Sequence, residues 1–283
     1  MDTITSVAEL RAHTKAWRLR DEPIALVPTM GNLHAGHLKL VRHAKALAPR
    51  VVVSIFVNPM QFAANEDYES YPHTMELDAE ALMQAEADVL FAPGVSAVYP
   101  GGVEQTTSVV VPGLNSILEG EHRPSHFNGV TTVVAKLFNM VQPDIAVFGE
   151  KDYQQLLIIR RMVKDLDMPV RIKAVGTVRE ADGLAMSSRN NYLQATERAL
   201  APQLHQVLLD VKTIVEAGEA DLQGVEQAAA QQLAGAGFAV DYISIRRRSD
   251  LAPPVAGDGR LVVLAAARIG TTRLIDNVKI SMT

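Results

Sequence analysis

Hydrophobic positions along the 283-residue chain alternate between two spacings. Residues 5 to 18 set Val7, Leu10 and Trp17 among charges behind a Thr5 or Ser6 cap, which predicts an amphipathic helix. Pro23 closes it, and Ile24-Ala25-Leu26-Val27 begins a short buried strand. Leu33, Leu38, Leu40, Val41, Ala44 and Leu47 then recur at helical spacing up to Pro49. The β-branched run Val51-Val52-Val53-Ser54-Ile55-Phe56-Val57 predicts a strand covered on both faces. The alternation continues with helices over 75–87, 131–141 and 154–167 and strands over 89–92, 145–148 and 170–175. Strands separated by helices pair in parallel through right-handed crossovers, so the pattern predicts a doubly wound, Rossmann-like α/β sheet. Past about residue 177 the pattern changes to a long helix over 194–216, an Ala/Gln-rich helix over 222–234 and strand-like runs over 240–246 and 261–267. The expected organisation is a Rossmann-like domain over 1–177 and a smaller α+β domain over 178–283.

Composition narrows the chemistry. The absence of cysteine removes disulfides, thiolate metal sites and cysteine nucleophiles together. Lys and Arg number 27 against 32 Asp and Glu, a formal charge of −5, so neither nucleic acid nor an anionic membrane is an expected partner. No apolar run approaches the ~18 residues of a membrane span, and the first residues lack a basic and apolar leader. A cytoplasmic protein is expected.

Candidate chemistry gathers where strands end, the edge at which ligands collect on such sheets. After the first long strand stands Pro28-Thr29-Met30-Gly31-Asn32-Leu33-His34-Ala35-Gly36-His37. His34 and His37 share one face of a first helical turn, where free backbone N–H groups and the helix dipole favour an anion, and Gly36 permits close approach. The next strand runs into Asn58-Pro59-Met60-Gln61, whose amide side chains suit a small polar substrate. Gly149-Glu150-Lys151-Asp152 follows the 145–148 strand, with a point charge at Lys151, a ribose acceptor at Asp152 and Gln155 one turn on. At the domain junction, Val178 to Asn190 offers a turn at Asp182-Gly183, hydroxyls at Ser187 and Ser188 and a guanidinium fork at Arg189. Glu119, Arg123, His126 and Asn128 form a further polar group, read as a substrate wall or a polar loop. Arg246-Arg247-Arg248 reads as a solvated strand end.

The stretches PTMGNLHAGH, IFVNPMQF, YPHT, RPSHFNGVTTVVAKLF, FGEKDYQQL, VREADGLAMSSRNNYL and RIGTTRLIDN, in that order, resemble the pantoate–β-alanine ligase family of the HxGH nucleotidylyltransferase superfamily. The resemblance implies ATP-dependent joining of (R)-pantoate to β-alanine through a pantoyl adenylate, with Mg²⁺ accompanying ATP. ATP would be held by Met30, Gly31, Asn32, Leu33, His34, Ala35, Gly36 and His37, by Gly149, Glu150, Lys151 and Asp152, and by Val178, Met186, Ser187, Ser188 and Arg189. Gln61 and Gln155, with Asn58 beside them, would hold pantoate and β-alanine, and His34, His37, Lys151 and Arg189 would carry the catalysis. The metal ligands are unassigned, with Asp78 the one protein candidate, and a homodimer is implied. Ala35, His73 and Leu77 depart from the common pattern. The alternative reading is a nucleotidylyltransferase that stops without forming an amide.

Overall fold

The computed structural model describes residues 1–63, 66 and 68–282. Two compact units emerge, one of residues 1–150 and 155–176, the other of 151–154 and 177–283.

The first unit carries β1 (Asp2–Ile4), α1 (Val7–Arg18), β2 (Ile24–Thr29), α2 (Ala35–Leu47), β3 (Arg50–Ile55), α3 (Met75–Gln84), β4 (Val89–Phe91), α4 (Val95–Val98), α5 (Glu119–His122), α6 (His126–Val141), β5 (Ile145–Gly149), most of α7 (Tyr153–Asp165) and β6 (Arg171–Val175). Its six strands lie in the order β1-β4-β3-β2-β5-β6, all parallel. The chain steps outward from β2 through β3 to β4, then returns to place β5 and β6 on the other side of β2. The order therefore reverses between β2 and β5, the point at which doubly wound sheets open a crevice at their carboxyl edge.

Side-chain alternation explains why these strands read as continuous apolar runs. Ile24, Leu26 and Val52 pack with Leu10 and Trp17 of α1, Val134 of α6 and Ile158 of α7. Their neighbours Ala25, Val27, Val51 and Val53 pack on the opposite face with Val41 and Ala44 of α2 and Leu82 of α3. Both faces of the central strands β2 and β3 are covered, which leaves little room for polar side chains there, while the edge strands β1 and β6 expose Asp2, Thr3, Arg171 and Lys173.

The second unit holds α8 (Ala195–Leu200), α9 (Gln203–Glu216), α10 (Leu222–Gly235) and an antiparallel sheet of β7 (Ala239–Arg247), β8 (Arg260–Ile269) and β9 (Thr272–Ser281), in the order β7-β8-β9. Leu204, Leu208 and Val211 of α9 and Val225, Ala229 and Leu233 of α10 cover Ile243, Ile245, Val263 and Ala265. Residues 151–154 join this unit rather than the first, contrary to a cut at 177/178. The Lys151 carbonyl accepts from Asn277 Nδ2 at 2.9 Å, and the Tyr153 hydroxyl donates to the Arg248 carbonyl at 3.0 Å.

Several elements differ from expectation, among them the short helices α4 and α5, which the pattern does not predict. β1 escapes notice because it has three residues and buries only Ile4. Helix α6 starts at His126 rather than Thr131, since its first turn is polar and contains Gly129, yet Phe127 and Val130 are buried there. The predicted helix over 194–216 is two helices parted at Ala201-Pro202, because proline lacks the N–H and clashes with the preceding turn but is well placed to start a new helix. β9 follows β8 through the two-residue turn Gly270-Thr271, where Gly270 takes φ +55°.

Asp88 anchors the start of β3. Its carboxylate accepts from Val51 N at 2.8 Å, Lys45 Nζ at 2.9 Å and Arg50 Nη1 at 3.1 Å. Asp88→Ala is expected to cost roughly 1–3 kcal/mol in urea denaturation, because the Val51 N–H loses its acceptor. Unchanged stability would show that water replaces the carboxylate.

Candidate active site

The turn from β2 into α2 is shaped by one buried carboxylate. Gly31 and Asn32 both adopt positive φ, +84° and +50°. A Cβ at Gly31 would stand 3.1 Å from Asp78 Oδ2 and from the Ile55 side chain, so the position requires glycine. Asp78, 3% exposed at the start of α3, accepts from Asn32 N at 2.8 Å and Leu33 N at 2.7 Å, and from the Thr74 hydroxyl at 3.1 Å. Thr29 closes the other side, donating to the Ser54 carbonyl at 2.8 Å and accepting from Gly31 N at 3.3 Å.

His34 is the N-cap of α2 and His37 its third residue, and the two cap the helix reciprocally. His34 Nδ1 accepts from Gly36 N at 3.1 Å, and His37 Nδ1 accepts from His34 N at 3.3 Å. The rings stack with centroids 4.0 Å apart. A nitrogen that accepts from a backbone N–H carries no proton, so each neutral ring bears its hydrogen on Nε2. The amides of Asn32, Leu33, His34 and Gly36 are thus engaged, where the sequence predicted free N–H groups.

At the end of β3, Gln61 is held on every side. Its Oε1 accepts from Asn58 Nδ2 at 3.1 Å, and its Nε2 donates to Met30 Sδ at 3.0 Å. Asn58, expected at the ligand wall, is fully buried. Its Nδ2 also donates to the Gly129 carbonyl at 3.1 Å, while its Oδ1 accepts from the Tyr99 hydroxyl at 2.7 Å and Met60 N at 3.3 Å. Its side-chain hydrogen bonds thus go to Gln61, Gly129, Tyr99 and Met60, all within the protein. Helix α6 approaches so closely that a Cβ on Gly129 would overlap the Met60 carbonyl. Gln155, also in the first unit, is half-buried on α7.

The polar group at 119–128 supports the same residue. His126 Nδ1 lies 2.8 Å from the Gln61 carbonyl oxygen, which can only accept, so His126 Nε2 accepts from Arg123 Nη1 at 3.1 Å. Arg123 donates to the Gln61 carbonyl at 3.2 Å and forks onto Glu66 through Nε at 2.6 Å and Nη2 at 2.7 Å. Burial, aided by the Arg123 charge, lowers the His126 pKa to about 4. Burial works to raise the Glu66 carboxyl, and the Arg123 fork outweighs it, leaving the group below its ordinary range. Asn128 stands apart and accepts from Asn115 at 3.1 Å. Glu66, Thr74 and Tyr99 carry no sequence signal of these roles. Asp78, the one metal candidate in the sequence, is the acceptor for the Gly31-Asn32 turn.

In the second unit, Val178 to Met186 forms a small hairpin, not a loose linker. Met186 N donates to the Val178 carbonyl at 2.9 Å, Glu180 N to that of Leu184 at 2.8 Å, and Arg179 bridges Ala185. Asp182-Gly183 makes the turn, with Gly183 at φ +92°. Ser187 caps the 3₁₀ turn Ser188–Tyr192 by accepting from Arg189 N at 3.3 Å. Lys151, Asp152, Ser188 and Arg189 are half-buried.

Residues 2–279 match the family described as Pantoate-beta-alanine ligase. The chain belongs to that family. Pantothenate synthetase of Thioalkalivibrio sulfidiphilus is 56% identical over 282 residues, covering 100% of this chain and 99% of that protein. The synthetase of Methylococcus capsulatus is 54% identical with the same coverage. The crystal structure of pantothenate synthetase from Thermus thermophilus superposes with TM-score 0.90 at 47% identity, covering 98% of this chain and 99% of that one. The Francisella tularensis ligase, solved with β,γ-ATP and β-alanine, gives TM-score 0.81 at 32% identity over 98% and 97%.

Among the described residues no group of three or more His, Cys, Asp or Glu could hold a metal ion, and Asp78 is occupied by the turn. No helix among them is long and apolar enough to cross a membrane.

A pH dependence follows from His126. With its folded pKa at about 4 against 6.5 when free, the unfolded chain binds the extra proton between those values. The contribution of this group is complete above pH 6.5 and is lost as pH falls from there through 4, by about 3 kcal/mol. His126→Asn is expected to flatten that part of the stability profile in denaturant titrations. A slope unchanged by the substitution would assign the effect elsewhere.

Proposed function

We propose that this ligase condenses (R)-pantoate with β-alanine at the expense of ATP, through an enzyme-bound pantoyl adenylate. The observation that carries the reading is the reciprocal His34/His37 cap, which fixes two neutral Nε2–H donors at the start of α2, at the carboxyl edge of β2.

In the first step a pantoate carboxylate oxygen attacks the α-phosphorus of ATP, and the bond from that phosphorus to the bridging oxygen of pyrophosphate breaks. The Nε2–H groups of His34 and His37 donate to phosphate oxygens as charge moves onto the leaving group. Lys151 supplies a point charge and Arg189 a planar fork for the same anion, and Ser187, Ser188, Met186, Val178, Glu150 and Asp152 contribute to holding the nucleotide. Gln61 and Gln155 orient pantoate. In the second step the β-alanine amine, in its neutral form, attacks the acyl carbonyl near Gln61. The bond to AMP breaks, and the nitrogen gives up a proton as the amide forms. A bare carboxylate is a poor acyl electrophile, and the adenylate supplies a good leaving group.

Magnesium enters this reading with ATP, held by phosphate oxygens and water rather than by a protein cluster, as its preference for retained waters allows. A homodimer in the cytoplasm belongs to the same proposal. A nucleotidylyltransferase that halts after the first step is not favoured, since the match to the amide-forming family spans nearly the whole chain.

His37→Ala is expected to keep the fold and lose adenylation by about 2.7 kcal/mol or more, near the 10²–10³-fold scale of a lost transition-state donor. The measurement is pantoate-dependent exchange of labelled pyrophosphate into ATP, followed by AMP release on adding β-alanine. Exchange at the wild-type rate would remove His37 from the chemistry, and AMP release indifferent to β-alanine would remove the second step.

A further inference from the structure

The stretch RIGTTRLIDN ends in two buried residues of β9, Asp276 and Asn277, 4% and 7% exposed. Neither has a part in the reaction described above. Adjacent strand residues project to opposite faces. Leu274, Val278 and Ile280 share a face with Asp276 and pack in the core with α9, while Asn277 points the other way.

Asp276 receives Arg179 as a two-pronged pair, Nη1 to Oδ2 at 2.6 Å and Nη2 to Oδ1 at 2.9 Å. Arg179 stands on the first arm of the 178–186 hairpin and also donates from Nη1 to the Gly183 carbonyl at its turn, 3.1 Å away. From α9, His205 Nδ1 approaches Asp276 Oδ2 at 3.2 Å. Burial works against the Asp276 charge, and His205 and Arg179 together outweigh it, so the carboxyl stays below its ordinary pKa. The next side chain, Asn277, donates through Nδ2 to the Lys151 carbonyl at 2.9 Å.

Two neighbouring residues of one strand therefore grip two separate stretches of chain, one carrying Lys151 and the other leading into Met186 to Arg189. A bidentate guanidinium pair fixes direction as well as distance, which a single contact does not. A paired β-strand is a stiff base for both grips, and catalytic groups need placement to within about 0.5 Å.

We infer that Asp276 and Asn277 are positioning residues for adenylation: β9 sets the register between Lys151 and the hairpin that leads to Ser187, Ser188 and Arg189. The inference rests on the proposed roles of Lys151 and Arg189. Neither Asp276 nor Asn277 touches substrate.

The test uses the full-length enzyme with Asp276→Asn, Asn277→Ala and Arg179→Lys, beside Lys151→Ala and Arg189→Ala. Pantoate-dependent pyrophosphate exchange, the KM for pantoate, thermal unfolding and amide hydrogen exchange are measured on each. Asp276→Asn and Asn277→Ala are expected to slow pyrophosphate exchange by about tenfold or more, the scale of small misplacements, with the pantoate KM unchanged. Asp276→Asn should also speed hydrogen exchange in the hairpin, whereas Asn277→Ala should leave the hairpin protected. Arg179→Lys, which keeps the charge and loses the fork, should fall between wild type and Asp276→Asn. Wild-type turnover in Arg179→Lys and Asn277→Ala, whatever happens to the melting temperature, overturns the inference, and these two variants decide it even if Asp276→Asn does not fold. Loss of activity in Lys151→Ala and Arg189→Ala alongside active β9 variants overturns this inference alone. Full activity in Lys151→Ala and Arg189→Ala overturns the site assignment beneath it.

Discussion

The carboxylate of Asp78 is the constraint on which the rest of the first unit's site depends. It is buried, and a buried charge persists only where donors surround it. Here the donors are the amides of Asn32 and Leu33 and the Thr74 hydroxyl. Satisfying them forces consecutive residues at the end of β2 into left-handed conformations, which glycine tolerates and asparagine accepts more readily than most. The turn then delivers His34 to the N-cap and His37 to the third helical position, the geometry in which two side chains can cap each other's backbone. The interaction links α3 to α2 across the sheet edge, so helix start, ring orientation and tautomer all trace to one aspartate.

A similar division of labour surrounds Gln61. Asn58, itself held by the Tyr99 hydroxyl, bonds the Gln61 side chain, His126 and Arg123 bond its carbonyl, and Gly129 makes room for the turn. Neutral His126 fits this role better than a cation would, because Arg123 stands 3.1 Å from its Nε2 and needs an acceptor there. The Arg123 charge is in turn balanced by Glu66. A polar cluster that resembles catalytic machinery in composition is thus spent on holding one glutamine still.

The sheet was legible because both of its faces are buried, which leaves long apolar runs that local pattern detects. The HxGH turn, the Gln61 turn and the Lys151 and Arg189 segments stand out in the sequence because each joins an unusual residue set to a turn or element end, and their roles are part of the proposed function. What escaped is mostly tertiary. Asp78 meets its partners 45 and 46 residues away, Arg123 meets Glu66 at a separation of 57, and Arg179 meets Asp276 at 97. No window of sequence contains such pairs. The complete burial of Asn58 is likewise tertiary, since its amide would suit a ligand as well as it suits Gln61. The split at Pro202 and the two-residue turn before β9 were local, and attention to proline and to Gly270 would have found them.

The tautomer of the two histidines bears on why imidazole, and not a further cation, stands at the start of α2. ATP is strongly anionic before reaction, so a cation there would stabilise bound substrate about as well as the transition state and add little to the rate. In the proposed adenylation, an Nε2–H on a ring fixed by its own cap would not have to reorient as the bond to pyrophosphate lengthens. Protonating Nδ1 of either ring would replace a cap hydrogen bond with two opposed donors.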